Sequence, residues 1–412
     1  MSLCRYLPTP SERMATMWSL LPIKDAIVLE YGPAGTTHYS MSLFGSLGVE
    51  PDQSLFTTHL SEDDVIMGEV TRLEESILEL DKSHHPKVIF VMASAVVAVI
   101  GTDIKGVCAY MQEKVKARLI PMEQAGFKGD YTIGLKESYY MLADKIVCSP
   151  VTKEKATYNI LGASAGSYRI RSDVWELQDL MSQAFGWTCG QIFGLEGDIE
   201  GLEQAASAEL NLVIRKEALP AAKHLKEKYG IDYIYQAPYG YSQTLTWLTN
   251  ISEKINCQVN EKVIARIQKK AKIVMQYKMY AMMYKRRPKA VVVGDYDLLL
   301  GFKAICDEIG VKMESMICSH SLKGIEELPK EMIYYTTEKE RIKRLKELDY
   351  HLLFGDDISI HIASSTNTTL SVSFPFVNQV QIAEHLPLMG ERGCDYILET
   401  VEKYFKTLGS GM

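Results

Sequence analysis

Residues 26–40 read AIVLEYGPAGTTHYS, and the order of residue types within them sets the architecture. The run Ala26-Ile27-Val28-Leu29 is apolar without alternation, so it reads as a strand buried on both faces, as in parallel sheets covered by helices. Gly32-Pro33 breaks that strand, and the small residues that follow open a helix. Ligands in open α/β sheets bind beyond the carboxyl ends of strands, where backbone N–H groups at helix starts point outward. Two glycines, Thr36, Thr37 and His38 at this turn are therefore either a plain strand-to-helix connection or a site whose ligand has been lost.

The same alternation continues along the chain. Candidate strands are 26–29, 88–91, 117–120, 158–161, 210–214, 290–293 and 350–354, separated by amphipathic stretches such as 64–80. In that stretch Val65, Val70, Leu73, Ile77 and Leu80 recur at nearly helical spacing, which predicts one helix. Strand and helix in repeated succession define an α/β fold of doubly wound parallel sheets. The polar, proline-containing connector CSPVTKEKAT and a long helix over about 261–284 divide the strands into three groups. The expected domains are 1–152, 153–285 and 286–412, each Rossmann-like, the last ending in a helix.

Composition narrows the chemistry. The 412 residues carry a net charge of −7, which leaves no basic field for nucleic acid. The longest apolar run, around Val88–Ile100, is shorter than a membrane span and contains Ser94. Arg5, two prolines and Glu12 stand where a secretory leader would need an apolar core, so a cytoplasmic location is expected. The eight cysteines contain no C-x-x-C pair, against a zinc ribbon or ferredoxin-type cluster. No P-loop or G-x-G-x-x-G spacing is present. Four turns could approach a ligand: YGPAGTTHYS, MASAVVAVIGTDI, NILGASAGSYRIRSDVWEL and VVVGDYDLLLGF. Asp356-Asp357 and Glu391-Arg392 are expected in loops.

Taken in order, several stretches resemble the component 1 subunits of nitrogenase and their relatives, a family that includes dark-operative protochlorophyllide reductase and the nitrogenase cofactor-assembly scaffold. YGPAGT is similar to the family's HGP-x-G-C turn, and AGFKGDYTIG to its PGF-x-G-S turn. LKEKYGIDYIYQAPYG resembles the helix ending EKYGIP, and HLPLMGERGCDY the element PL-x-G-x-R-G. The likeness runs from about residue 8 to 406. It implies three Rossmann-like domains and a cluster cradle formed by Ser11, Gly32, Gly35, Thr36, His38 and Ala95.

In the family, thiolates on three N-terminal turns hold an interfacial iron–sulfur cluster; the matching positions here are Ser11, Thr36 and Ala95. Hydroxyls ligate such iron poorly, and alanine not at all. The cysteine that anchors an active-site cofactor in catalytic chains is matched by Ile214, and Cys4 is a remote substitute for the N-terminal ligand. The cofactor is therefore unknown, with an iron–sulfur cluster expected only if a partner chain supplies the thiolates.

The resemblance implies a homodimer or a hetero-oligomer with a component 1 paralogue. Its function would be that of an oxidoreductase subunit receiving electrons from an ATP-dependent iron–sulfur reductase. The alternative is a non-catalytic binding or carrier protein for a tetrapyrrole or metallocofactor.

Overall fold

The computed structural model describes residues 6, 8–46, 54–68, 70–150, 152–283, 288–363, 368–376, 383 and 385–409. Cys4 and Tyr284 lie outside them.

The first sheet contains β1 (Ala26–Tyr31), β2 (Leu55–Thr57), β3 (Val88–Ala93) and β4 (Arg118–Met122), ordered β2-β1-β3-β4. The second contains β5 (Thr157–Leu161), β6 (Thr188–Phe193), β7 (Leu210–Val213) and β8 (Asp232–Tyr235), ordered β6-β5-β7-β8. The third contains β9 (Lys289–Gly294), β10 (Lys312–Cys318), β11 (Met332–Tyr334), β12 (Leu352–Gly355) and β13 (Thr368–Ser371), ordered β11-β10-β9-β12-β13. Every pairing within these sheets is parallel.

The unbroken apolar runs are buried on both faces, as parallel strands require. Val28 faces one core and Ile27 and Leu29 another; Val292 and Val291 divide in the same way in β9. The largest core is continuous from the helix Glu12–Leu20 through the second and third sheets. The helix Glu12–Leu20 packs against the helix Tyr131–Met141, while the last helix, Gly390–Gly409, packs against Ile170–Phe185 and Gly240–Ile255. The C-terminal helix thus rests on helices that flank the second sheet.

Two expectations need correction. The stretch 64–80 is not one helix: Glu62–Met67 ends at Gly68, whose φ of 65° is left-handed, and a second helix runs over Thr71–His84. Ser61 and Asp64 form a reciprocal cap on the first piece, which fixes its start and leaves the glycine to end it. Nor do Asp357, Glu391 and Arg392 lie in loops: all three are helical, and only Asp356 stands in the connection that follows β12. Asp356, buried, caps the helix Asp357–Ile362 by accepting from Ser359 N–H at 2.7 Å and pairs with Arg341 at 3.2 Å. Glu391 is buried in the first turn of Gly390–Gly409 and pairs with Arg266 and Lys270.

Candidate functional site

The four turns singled out in the sequence divide between two places. The first two lie at the carboxyl edge of the first sheet, where the expected cradle residues stand. Ser11 is the N-cap of Glu12–Leu20 and bridges through its backbone to Asp130. Glu12, fully buried, accepts from Gly126 N–H at 2.8 Å and Lys128 N–H at 3.0 Å, so it shapes the loop that follows β4. Gly32 passes so close to Ser94 that a Cβ there would lie 2.4 Å from the Ser94 Cβ. Ser94 caps the short helix Ala95–Ile100, which places Ala95 beside the Gly-Pro turn. Gly35 and His38 lie on the exposed side of the helix Ala34–Ser46.

The interior of this edge is occupied by Glu30. Its side chain is fully buried in β1 and pairs with Arg13 at 2.5 Å. Thr36 Oγ1 donates to Glu30 Oε1 at 2.8 Å, and Thr37 Oγ1 donates to Glu30 Oε2 at 2.8 Å. The residues therefore do not fit an iron–sulfur cluster. The hydroxyl in the expected thiolate position is committed to a carboxylate, and Ala95 brings no donor. Among the described residues, no group of three His, Cys, Asp or Glu side chains is placed to hold a metal ion.

The other two turns meet at a cavity of about 350 Å³ where the second and third sheets face the helices Glu12–Leu20 and Tyr131–Met141. Its walls are segments leaving the carboxyl ends of strands in both sheets, including Ser164–Tyr168, Ile214-Arg215, Asp295–Leu298 and Val372–Pro375. Trp18 closes one side, its ring tilted against Phe374 with centroids 5.3 Å apart, and Gly166 is the residue that lets it approach: a Cβ there would lie 2.4 Å from the indole. Ile214, in the position of the family's cofactor-anchoring cysteine, is fully buried and offers only hydrocarbon.

Polar groups converge on the cavity. Arg215, 6% exposed, reaches Asp295 Oδ2 at 3.1 Å and Glu217 Oε2 at 3.3 Å, and donates to Ser167 Oγ at 2.8 Å. Burial opposes its charge, but the two carboxylates outweigh that cost and hold its pKa above the ordinary value. Asp297 accepts from Lys216 N–H at 2.8 Å and from the Tyr235 hydroxyl; burial, aided by nearby Glu217, pushes its carboxyl above the usual range. Asp173 Oδ1 accepts from Leu388 N–H at 2.6 Å and Met389 N–H at 2.9 Å, and burial raises its pKa to about 7.

The Cys318 thiol is pushed up to about 12 by burial, so it is not a ready thiolate. His320 accepts from Tyr296 N–H at Nε2 (3.1 Å), which leaves the proton on Nδ1 to donate to Ser321 O at 3.0 Å.

Sequence reading found the segments that carry Asp173, Asp295 and Asp297 but not the residues themselves, and it missed Arg215 and Tyr235. One signal was available for Arg215: a charged residue directly after the apolar strand LNLVI.

A match to the family described as nitrogenase component 1 type oxidoreductase spans residues 11–405. The nitrogenase iron-molybdenum cofactor biosynthesis protein NifE of Nostoc sp. is 34% identical over 242 residues, 58% of this chain and 50% of that protein. NifE of Clostridium pasteurianum is 32% identical over 294 residues, 69% of this chain and 62% of that protein. These alignments span between half and two thirds of the relatives' length. The solved structure of nitrogenase Cp1 at pH 6.5 superposes with a TM-score of 0.81 at 16% identity, covering 99% of this chain and 94% of that one. That likeness establishes the fold.

Proposed function

The chain belongs to the nitrogenase component 1 type oxidoreductases, and on that premise we propose that it is the ligand-holding subunit of a multi-subunit complex. Its binding site is the central cavity, and its role is closer to the cofactor-biosynthesis relatives than to a self-contained reductase. One observation carries this reading: the cavity keeps a dense set of buried polar groups, while the turns expected to hold redox metal are closed by Glu30 and Arg13. A cavity of about 350 Å³ falls within the size range of small-molecule binding sites.

Native mass spectrometry of the complex purified from its own cells tests the reading. A bound small molecule is expected, and Leu298→Trp, which fills the cavity, removes it. A complex with no adduct in either form overturns the proposal.

A second reading has its own support. Ile66, Met67, Val99 and Phe127 are 77%, 72%, 75% and 67% exposed, all on segments that leave the carboxyl ends of β2, β3 and β4 beside the cradle. Apolar groups left in water at one edge of a sheet suit a protein partner. A component 1-type paralogue seated there would supply the missing thiolates, and the pair would take electrons from an ATP-dependent iron–sulfur reductase. Anaerobic co-purification with such a chain, followed by iron and sulfide analysis, decides this. A colourless, iron-free complex refutes the oxidoreductase role and leaves the ligand-holding one.

A further inference from the structure

We infer that Pro8-Thr9-Pro10 is a strap across the central cavity, which opens the cavity when the chain at Tyr6 lets go and the segment swings about its fixed end at Ser11. The inference rests on the ligand-holding reading above for its purpose, while its test reads the opening of the cavity with no ligand added.

The strap stands between the cavity and solvent. Pro8, Thr9 and Pro10 line the cavity, yet Pro8 and Thr9 are exposed and Pro10 is half-buried, so the segment has water on one side and the interior space on the other. The deeper walls differ in kind: Ile214, Arg215, Val372 and Leu388 are buried. Among the described residues, no hydrogen bond ties Pro8, Thr9 or Pro10 to what lies beneath them. Neither proline has an N–H to offer, and each fixes its own φ while holding the residue before it extended. A segment that is stiff along its length and unbonded along it moves as a unit.

Its two ends are held in different surroundings, and that decides which one opens. At the Ser11 end the chain is bridged to Asp130, and Glu12 N–H donates to Gly129 O at 3.2 Å. The fully buried Glu12 carboxylate there accepts from the N–H groups of Gly126, Lys128 and Gly129 at 2.8, 3.0 and 3.3 Å. At the other end Tyr6 N–H donates to Glu338 Oε1 at 3.1 Å, and the Tyr6 ring meets His361 edge-on with centroids 6.3 Å apart. Tyr6 and Glu338 are only half-buried and His361 is exposed. Water can replace the partners at that surface end, whereas parting a buried carboxylate from its donors leaves it bare. The Tyr6 end therefore releases first.

These anchors also set what the strap spans. Glu338 opens the helix Glu338–Glu347 after β11, and His361 lies in Asp357–Ile362 after β12. The segment thus runs from the start of Glu12–Leu20 to two helices of the third sheet, and both Glu338 and Ile358 of those helices line the cavity beneath it.

Thiol labelling reads the opening, because Cys318 lines the cavity at 2% exposure. Cys306, 0% exposed and outside the cavity walls, is the control: burial pushes both thiols up to about 12, so the two differ in access rather than acidity. The full chain is treated with N-ethylmaleimide, and each cysteine is followed by peptide mass spectrometry. Glu338→Ala is expected to speed modification of Cys318 about tenfold and Tyr6→Ala about threefold, with Cys306 unchanged and unfolding midpoints confirming that both variants fold. Glu338→Gln, which still accepts from Tyr6 N–H, is expected to stay within about twofold of the unaltered protein. Tyr6 is not a wall residue, so its variant separates release of the strap from simple widening of the mouth. An unchanged Cys318 rate in both alanine variants overturns the inference, as does acceleration in Glu338→Ala alone. Equal acceleration of Cys318 and Cys306 overturns it too, since that marks loosening of the whole fold. None of these results touches the ligand-holding role, which is decided by the bound molecule in native mass spectrometry.

Discussion

The buried carboxylate of Glu30 gathers one guanidinium and two hydroxyls, so the helices Glu12–Leu20 and Ala34–Ser46 are joined to β1 by charge and hydrogen bonding. Removing one member of such a pair leaves the other buried and uncompensated. Glu30→Ala is expected to cost about 3–5 kcal/mol, read as a fall in the unfolding midpoint, with Glu30→Gln milder because it still accepts from a threonine. Thr36→Cys adds a thiol to the same place, yet anaerobic reconstitution is expected to give no iron–sulfur absorption, because the buried ion pair remains.

Asp173 imposes a pH dependence of the opposite kind to a salt-bridged acid. Its folded pKa of about 7 lies above the ordinary value of about 4, so the folded protein holds a proton that the unfolded chain has released. Stability from this group is present below pH 4, falls as pH rises to 7, and levels off beyond, a change on the order of 4 kcal/mol. Asp173→Asn is expected to narrow the difference in unfolding midpoint between pH 5 and pH 8. None of this could be read from residue order, because the amides that bond Asp173, and offset part of the effect of its burial, come from a segment more than 200 positions away.

At the scale of elements, two helical glycines predict opposite outcomes. Alanine in an exposed helix is favoured over glycine by up to about 1 kcal/mol, and at Gly35 a new Cβ would meet nothing within 4 Å. Gly35→Ala is therefore expected to raise the unfolding midpoint slightly. At Gly134 the same Cβ would lie 2.0 Å from the carbonyl oxygen of Glu12, where the helices Glu12–Leu20 and Tyr131–Met141 cross. Gly134→Ala is expected to lower the midpoint by the equivalent of about 3 kcal/mol, despite its better helix propensity. Periodicity cannot separate these two glycines; only the crossing does.

All but one of the legible strands were those buried on both faces. β1, β3, β5, β7, β9 and β12 are interior to their sheets and carry apolar runs that stand out from their surroundings. The edge strands β2, β6, β8, β11 and β13 are short or mixed, as in Thr188–Phe193, whose first four residues alternate between exposed and half-buried positions; edge β4 was legible all the same, as the candidate 117–120, because Leu119 and Ile120 are apolar and buried. Interior β10 escaped for a different reason: Lys312 and Glu314 interrupt KMESMIC, and its register shifts between Met313 and Ser315.

Across the whole molecule, neither candidate site belongs to one stretch of chain, which is why composition and spacing located turns but not partners. The exposed apolar edge of the first sheet gives a prediction at this scale. Val99→Asp, at a position 75% exposed, is expected to leave the unfolding midpoint nearly unchanged while weakening association with a second chain, measured by light scattering.

The last helix has a further consequence. It lies more than 200 positions beyond Ile170–Phe185, yet it completes the packing around that helix, and the amides of Leu388 and Met389 just before it hold Asp173. During synthesis, the middle of the protein must wait for about 200 further residues, on the order of ten to forty seconds at typical elongation rates. Through that interval the faces destined for Gly390–Gly409 stand open, so a ribosome stalled before that helix is made would present a nascent chain whose segment around Ile170–Phe185 is vulnerable to proteases and available to chaperones.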